Sequence, residues 1–564
     1  MRFQKRFVAL AVCVLLAAVL KFHFGSENLK EVEEFRGANI KEDVFSPMIA
    51  QSVNSKLMTI TLNDQTYTNS RKTVYMSEQL NIMVSTEALM EGLYCSTHLY
   101  QEDTVLILQG ETEISMKDGE AFMTVNGKEV ELVTPMTIQE GTAYVPLQPL
   151  QSYLNFTLSW DMEENTGVAT TTLEEGYLPS AFDLRKYGRA GAVRDQGNYG
   201  TCWAFASLSA LESSLLPEEP IEFSADHMSL RNSFSSDQSQ GGEYTMGMAY
   251  LTSWQGPVLE KDDPYGDGIS PENLKPAKHV QDIELIEAEN LNDIKEAVYK
   301  YGAVQTSHYC NVKDPDLYRS RYASYYYPGE KSVNHDVVII GWDDNFPAEH
   351  FSIKPEGDGA FLCQNSWGSD FGDQGIFYVS YYDSNIGSRC ISYIGVEDTD
   401  NYDHIYQSDL CGWGGQLGYN KSSVYAANVF TAQQDELMEA VGFYATGPDT
   451  SYEIYLVPQF ESVTSLKEGW KVASGTKSKP GYYTIKLDSQ IKVTKGVKFA
   501  VVMKIDTPDS TRPLAVEYAK EDSLVKVDLT DGESYVSANG KKWESAEKTQ
   551  NCNVCIKAYT KDLE

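Results

Sequence analysis

Cysteine is scarce, nine in 564 residues, and with Cys13 set aside in the leader the remainder cannot build a disulfide scaffold. Basic residues are also short. Lys plus Arg total 46 against 81 Asp plus Glu, a formal charge of -35, and a chain this acidic repels phosphate backbones, which excludes nucleic acid as a partner. No long apolar run follows the N-terminus, and the composition fits neither collagen nor a coiled coil, so polytopic membrane and fibrous classes fall away. What is abundant is tyrosine, 36 residues, within 12% aromatic and 42% apolar content. Such a chain folds and is rich in sheet. Its length predicts roughly three to four domains of about 150 residues.

Arg2, Lys5 and Arg6 precede an apolar run from Phe7 to Leu20, the order of a secretory signal, so the chain is expected outside the cell. The run is short for a spanning helix, and Lys21 to Ser26 offers no small-x-small cleavage site. Residues 1–25 are therefore read as a signal peptide or a single N-terminal membrane anchor. Residues 26–55, with Lys30, Glu31, Glu33 and Glu34 close together, read as a linker.

Residues 56–172 contain an internal repeat. Leu62-Asn63-Asp64 opens one copy and Val125-Asn126-Gly127 the other. Val84 to Leu99 aligns with Val145 to Trp160 at an offset of 61, pairing Leu89 with Leu150, Leu93 with Leu154 and Cys95 with Phe156. Each copy reads as hairpin, short helix, strand, and Asn126-Gly127 is a two-residue hairpin turn. The second copy, through Tyr144-Val145-Pro146-Leu147 to Ser159-Trp160-Asp161, resembles the copper amine oxidase N-terminal domain, a module of exported Gram-positive proteins. The resemblance implies a stalk or pro-segment. It implies no copper chemistry, because His98 is the one histidine there and no ligand cluster accompanies it.

From Tyr177 to Val396 helical and strand patterns mix, as in an α+β enzyme. The loop Asp195-Gln196-Gly197-Asn198-Tyr199-Gly200-Thr201 runs into a helical pattern with Ala204, Leu208, Leu211 and Leu215 on one face, which puts Cys202 in the first turn. There the helix dipole favours the thiolate, the nucleophilic form. His335 opens an apolar strand 133 residues later, in Val333-Asn334-His335-Asp336-Val337-Val338-Ile339, and Asn365 stands in Gln364-Asn365-Ser366-Trp367-Gly368. A sulfur nucleophile, an imidazole to exchange its proton and an amide to orient that imidazole are the parts that acyl transfer requires.

These motifs closely resemble the papain-like cysteine peptidases, whose Cys-to-His spacing this is. The resemblance implies a two-lobed α+β domain over 177–396, with Cys202 as nucleophile, His335 as base, Asn365 as its orienting residue, Gln196 in the oxyanion hole and Trp367 shielding the His-Asn contact. It implies that Gly241 and Gly242 pair with substrate backbone and that Val333 and Ser307 line the main side-chain pocket, which being uncharged would take a hydrophobic residue. No metal or cofactor is implied. Two departures coincide: Tyr199 and Ser239 stand where most relatives carry a bonded pair of cysteines. The usual helical pro-region motif is also missing from 27–176.

After Asp400, Tyr452-Ile454-Leu456, Tyr483-Ile485-Leu487 and Phe499-Val501-Met503-Ile505 alternate at period two, the pattern of an antiparallel sandwich with its own core. Ala427 to Phe430, Val441 to Tyr444 and Gly481 to Ile485 resemble the lectin-like domain of clostridial cell-wall cysteine proteases, which implies a possible glycan partner through 400–562. The expected architecture is thus multidomain: an α+β peptidase flanked by an N-terminal α+β repeat domain and a C-terminal all-β sandwich. The expected function is an exported cysteine endopeptidase acting on peptide or protein substrates at the cell surface or wall. The alternative is a wall- or glycan-binding surface protein with an inactive peptidase scaffold, for which loss of one of the four catalytic residues would be the mark; all four are present.

Overall fold

The structure, a computed structural model, describes residues 58–563 apart from 64, 70–72, 162–163, 172, 174–176, 236, 287–289, 519–524 and 526. The expected signal or anchor and the linker lie outside the described residues. Among those described, no helix is long and apolar enough to cross a membrane.

The repeat offset has a direct structural meaning, because Val84 and Val145, equivalent in the two copies, are paired partners at the centre of a four-stranded sheet. Each is followed by a helix, Thr86–Leu93 in one copy and Leu147–Leu150 in the other. The first is capped by Ser85, whose side chain accepts from the Ala88 N–H. The second has Pro146 at that position and makes no side-chain cap, and it is correspondingly short. Leu89, Leu93, Cys95, Leu150, Leu154 and Phe156 meet in one core, so the sequence equivalence is a packing equivalence. Asn126 and Gly127 both have positive φ, 47° and 76°, as a tight primed turn requires, and they join Phe122–Val125 to Lys128–Glu131.

The five-stranded sheet of this module, Ser96 to Glu131, does not stand clear of the next domain. Leu106 and Leu108 belong to the peptidase core. Polar contacts flank them: Ser96 Oγ donates to the Tyr299 carbonyl at 2.5 Å and Tyr100 Oη to the Tyr187 carbonyl at 2.8 Å.

In the peptidase, Cys202–Leu215 is buried on nearly every side, Trp203, Phe205, Leu208 and Leu211 included. The amphipathic reading of that helix is too modest, since a helix apolar all round is a central one. Ala225–Leu230 and Tyr244–Thr252 pack around it. The other lobe is a sheet in the order Ile376–Ser380, Ala360–Gln364, His335–Asp343, Val304–His308, Cys390–Glu397, His279–Ile286.

That sheet continues into the C-terminal domain. His279–Ile286 pairs with Gly481–Val493 through Asp282 with Tyr483, Ile283 with Tyr482 and Glu284 with Gly481. A Cβ at Gly481 would overlap the Ile283 carbonyl, so glycine permits the junction. Tyr444, Tyr482, Ala515 and Cys555 lie in the peptidase core cluster. The sandwich does have a core of its own around Val424, Ile454, Phe499 and Val501. The expected sandwich with its own core is present, and one of its sheets continues into the enzyme's sheet.

Candidate active site

Cys202 is the first residue of its helix and His335 the first residue of its strand. Each therefore projects from the end of a rigid element. The His335 ring is fixed twice. Its Nε2 donates to Asn365 Oδ1 at 2.8 Å, and Trp367 stacks on it at 4.6 Å between centroids with 26° between planes. With Nε2 engaged, Nδ1 is the nitrogen available for proton exchange. Asn365 Oδ1 also accepts the Ser366 N–H at 2.8 Å, which holds the amide in place.

Gln196 is sewn to the same segment. Its N–H donates to the Ser366 carbonyl at 2.8 Å and its Oε1 accepts from Ser366 Oγ at 2.7 Å. Its Nε2 donates to the Tyr199 carbonyl at 2.7 Å, leaving the second amide hydrogen free of that bond. Close backbone approach ties this loop to the Gly241-Gly242 segment. The Gly200 N–H donates to the Gln238 carbonyl at 2.7 Å, and a Cβ on Gly200 would stand 2.8 Å from the Gly241 Cα. At Gly242 an added Cβ would strike the Trp203 indole. Small residues thus permit the approach, and Ser239 turns to Asp237, donating from Oγ at 2.5 Å.

Electrostatics oppose any isolated charge here. Burial pushes the Cys202 thiol up to about 11 and the Asp336 carboxylate adds to it, while peptide N–H groups of Asp336 and Trp203 pull the other way. Burial holds His335 down at about 4 against the Asn365 hydrogen bond. His308, the strand partner of His335, packs 6.0 Å from its ring with neither nitrogen bonded, held at about 3 by burial and by His335.

Of the expected pocket residues, Val333 is exposed and Ser307 half-buried, and Ser307 contacts a buried carboxylate. Ser307 Oγ donates to Asp336 Oδ1 at 2.6 Å, and Gln305 Nε2 to Asp336 Oδ2 at 3.1 Å. Burial raises the Asp336 carboxyl to about 6. Sequence reasoning passed over Asp336 and Gln305; the available signal was an acidic residue inside an apolar strand.

One group of ligand-capable side chains converges among the described residues: His404, Glu436 and Asp562, with ligand atoms within 4.8 Å. The Glu436 oxygens already accept from Tyr406 Oη at 2.8 and 2.9 Å and from the Gln434 N–H at 2.7 Å. Its lone pairs are committed to protein donors.

Comparison with known proteins agrees with this geometry. Residues 178–394 match the family model described as papain family cysteine protease, 405–560 that of the lectin like domain, and 61–168 that of the copper amine oxidase N-terminal domain. Cathepsin K of Mus musculus is 26% identical over 47% of this chain and 76% of its own. The viral cathepsin of Epiphyas postvittana nucleopolyhedrovirus is 23% identical over 41% and 69%. Cysteine proteinase 1 of Zea mays is 26% identical over 38% of this chain and 59% of its own, under two thirds of that relative. Among solved structures, the clostridial cysteine protease Cwp84 after propeptide cleavage superposes with a TM-score of 0.62 at 28% identity, over 68% of this chain and 99% of that one. The cysteine protease and lectin-like domains of Cwp84, a surface layer associated protein of Clostridium difficile, superpose at 0.61 and 27% identity, over 68% and 89%. The chain carries a papain-like cysteine peptidase domain followed by a lectin-like domain.

Proposed function

We propose that this cysteine peptidase is an exported endopeptidase of surface or cell-wall proteins, with Cys202 as nucleophile, His335 as general base and acid, Asn365 as orienting residue and Gln196 as oxyanion donor. The observation that carries the reading is the His335 to Asn365 bond under Trp367. It selects the tautomer and shields it from water on the strand that brings the Asp336 N–H to the Cys202 sulfur.

In the proposed cycle His335 Nδ1 takes the Cys202 proton as sulfur attacks the amide carbon and gives it to the leaving amine; water then attacks the thioester, His335 taking a proton from it and returning it to the departing sulfur. The developing oxyanion meets the Cys202 N–H and the free hydrogen of the Gln196 amide, a donor whose loss costs about 2.7 to 4 kcal/mol in other peptidases. Gly241 and Gly242 offer backbone without side chains to an extended substrate. Export rests on the N-terminal sequence, and a wall location is supported by the likeness to a surface layer associated protease. The lectin-like domain supports contact with a glycan.

Labelling with a thiol-directed epoxide inhibitor, read by mass spectrometry, tests the assignment. Modification at Cys202 with parallel loss of peptide hydrolysis is expected. Full hydrolysis after complete modification would remove Cys202 from the mechanism.

A further inference from the structure

The peptidase and the sandwich together line an open pocket of about 290 Å³ at their seam. Tyr244 and Arg389 reach it from the enzyme, and Trp413, Gln416 and Thr446 from the sandwich. The site opens to solvent, with Arg389 and Gln416 exposed and Trp413 half-buried. Arg389 forms no ion pair among the described residues; its Nη1 donates to Tyr244 Oη at 3.0 Å and its guanidinium lies 5.9 Å from that ring's centroid. In a chain of net charge -35, a guanidinium without a carboxylate stands out.

Trp413 is half-buried beside Tyr444, 6.0 Å between centroids. Gly414 and Gly415 also line the cavity and leave backbone groups uncovered by side chains. An aromatic wall, a side-chain amide and an unpaired planar cation match a ring that is apolar on its face, hydroxylated at its edge and anionic at one substituent.

We propose that this cavity is a saccharide site for a sugar carrying a carboxylate, with the acid on Arg389 and the ring against Trp413. The proposal rests on the glycan-contact reading above and names its place and ligand class. The same residues border the cleft. Tyr244 follows Gly242 by two positions. Arg389 precedes Cys390, which pairs with Thr306, and Thr306 Oγ1 donates to the Arg389 carbonyl at 3.2 Å. Ser307, an expected pocket residue, is next along that strand.

The test is calorimetric titration of the full chain with glucuronic acid and with glucose, a pair differing at one carboxylate. Glucuronic acid is expected to bind saturably and glucose about fivefold or more weakly. Arg389→Met should abolish that difference, and Trp413→Ala should weaken both; Gln416→Ala, at an exposed position, serves where the tryptophan variant fails to fold. Equal binding of the two sugars, no saturable binding, or binding indifferent to all three variants overturns the site. If glucuronic acid fails to bind while Arg389→Met alters preference for acidic peptides, the cavity is a peptide subsite and the proposal falls. Retention of the full chain on isolated cell walls separates the two levels. Retention without sugar-acid binding removes this site and leaves the glycan reading, and loss of both removes the reading itself.

Discussion

The Gln305 side-chain amide donates to the Asp336 carboxylate at 3.1 Å while its own carbonyl accepts from Ser207 Oγ at 2.9 Å. Ser207 lies on the helix that begins with Cys202, and Asp336 follows His335. A buried polar bridge therefore joins the element bearing the sulfur to the element bearing the imidazole. Such bridges hold geometry tightly because a broken one leaves an unsatisfied group in the interior.

Asp336→Asn should raise thiol reactivity at neutral pH. Burial lifts the carboxyl to about 6, so above that pH it is ionised and opposes the Cys202 thiolate. Below it the native group is protonated and the variant should match wild type. The stability sign follows from the raised value: its contribution is full below the ordinary carboxylate range and is lost as pH rises through about 6. Iodoacetamide rates and melting temperature measured across pH check both. Slower alkylation by the variant at neutral pH would show that the carboxylate assists the site.

Cys202→Ala should abolish hydrolysis, by more than about a thousandfold, with little change in stability because little volume is lost. His335→Ala should be nearly as damaging. Asn365→Ala should cost roughly tenfold to a hundredfold, since it removes orientation and not the proton carrier. Initial rates on a fluorogenic peptide rank the three; an order with Asn365→Ala worst contradicts the roles.

Much of this was legible in sequence because local rules dominate there. The offset of 61 reappears as Val84 opposite Val145, and Asn126-Gly127 forms its turn because those residue types tolerate positive φ. Cys202 and His335 were findable because each begins an element. What stayed hidden depends on contacts remote in sequence: Gln305 with Asp336, Arg389 with Tyr244, and Ile283 with Tyr482. Alternation in Tyr483-Ile485-Leu487 reveals a strand facing a core, but it carries no information on whose core that is.

Ending the chain near Val396 should yield an unstable, aggregating peptidase. The cut strips Asp282, Ile283 and Glu284 of their partners on one side and opens the core that Tyr444 and Tyr482 close. A bare edge beside exposed apolar surface is an aggregation site. Solubility and thermal unfolding of that fragment against the full chain measure the effect. A soluble, cooperatively folding fragment would show the shared sheet to be dispensable.

The N-terminal module should detach on acidification once the chain is cut between Thr171 and Pro179. At the seam His98 Nε2 accepts from Arg189 Nη1 at 3.0 Å and sits 2.5 Å from Ser96 Oγ. A proton on the ring would add a second positive charge beside the Arg189 guanidinium in a buried seam. Burial, and then Arg189, hold His98 well below its ordinary value, so its docking contribution is present above about 6.5 and lost as pH falls below it. Glu218, which accepts the Leu99 N–H at 2.8 Å, works the other way: burial raises its carboxyl, so acidification favours its docked form, and release requires the His98 contribution to outweigh it. Gel filtration of nicked protein should show co-elution near pH 7.5 and separation near pH 5, and His98→Gln, whose amide oxygen can accept from Arg189 without titrating, should stay docked at both. None of these contacts involves Gln196, Gly241, Gly242, Ser307 or Asn365, so peptide turnover at neutral pH should be the same before and after the cut. Equal release at both pH values would remove His98 as the latch, and activation by the cut would make the module an inhibitory pro-segment.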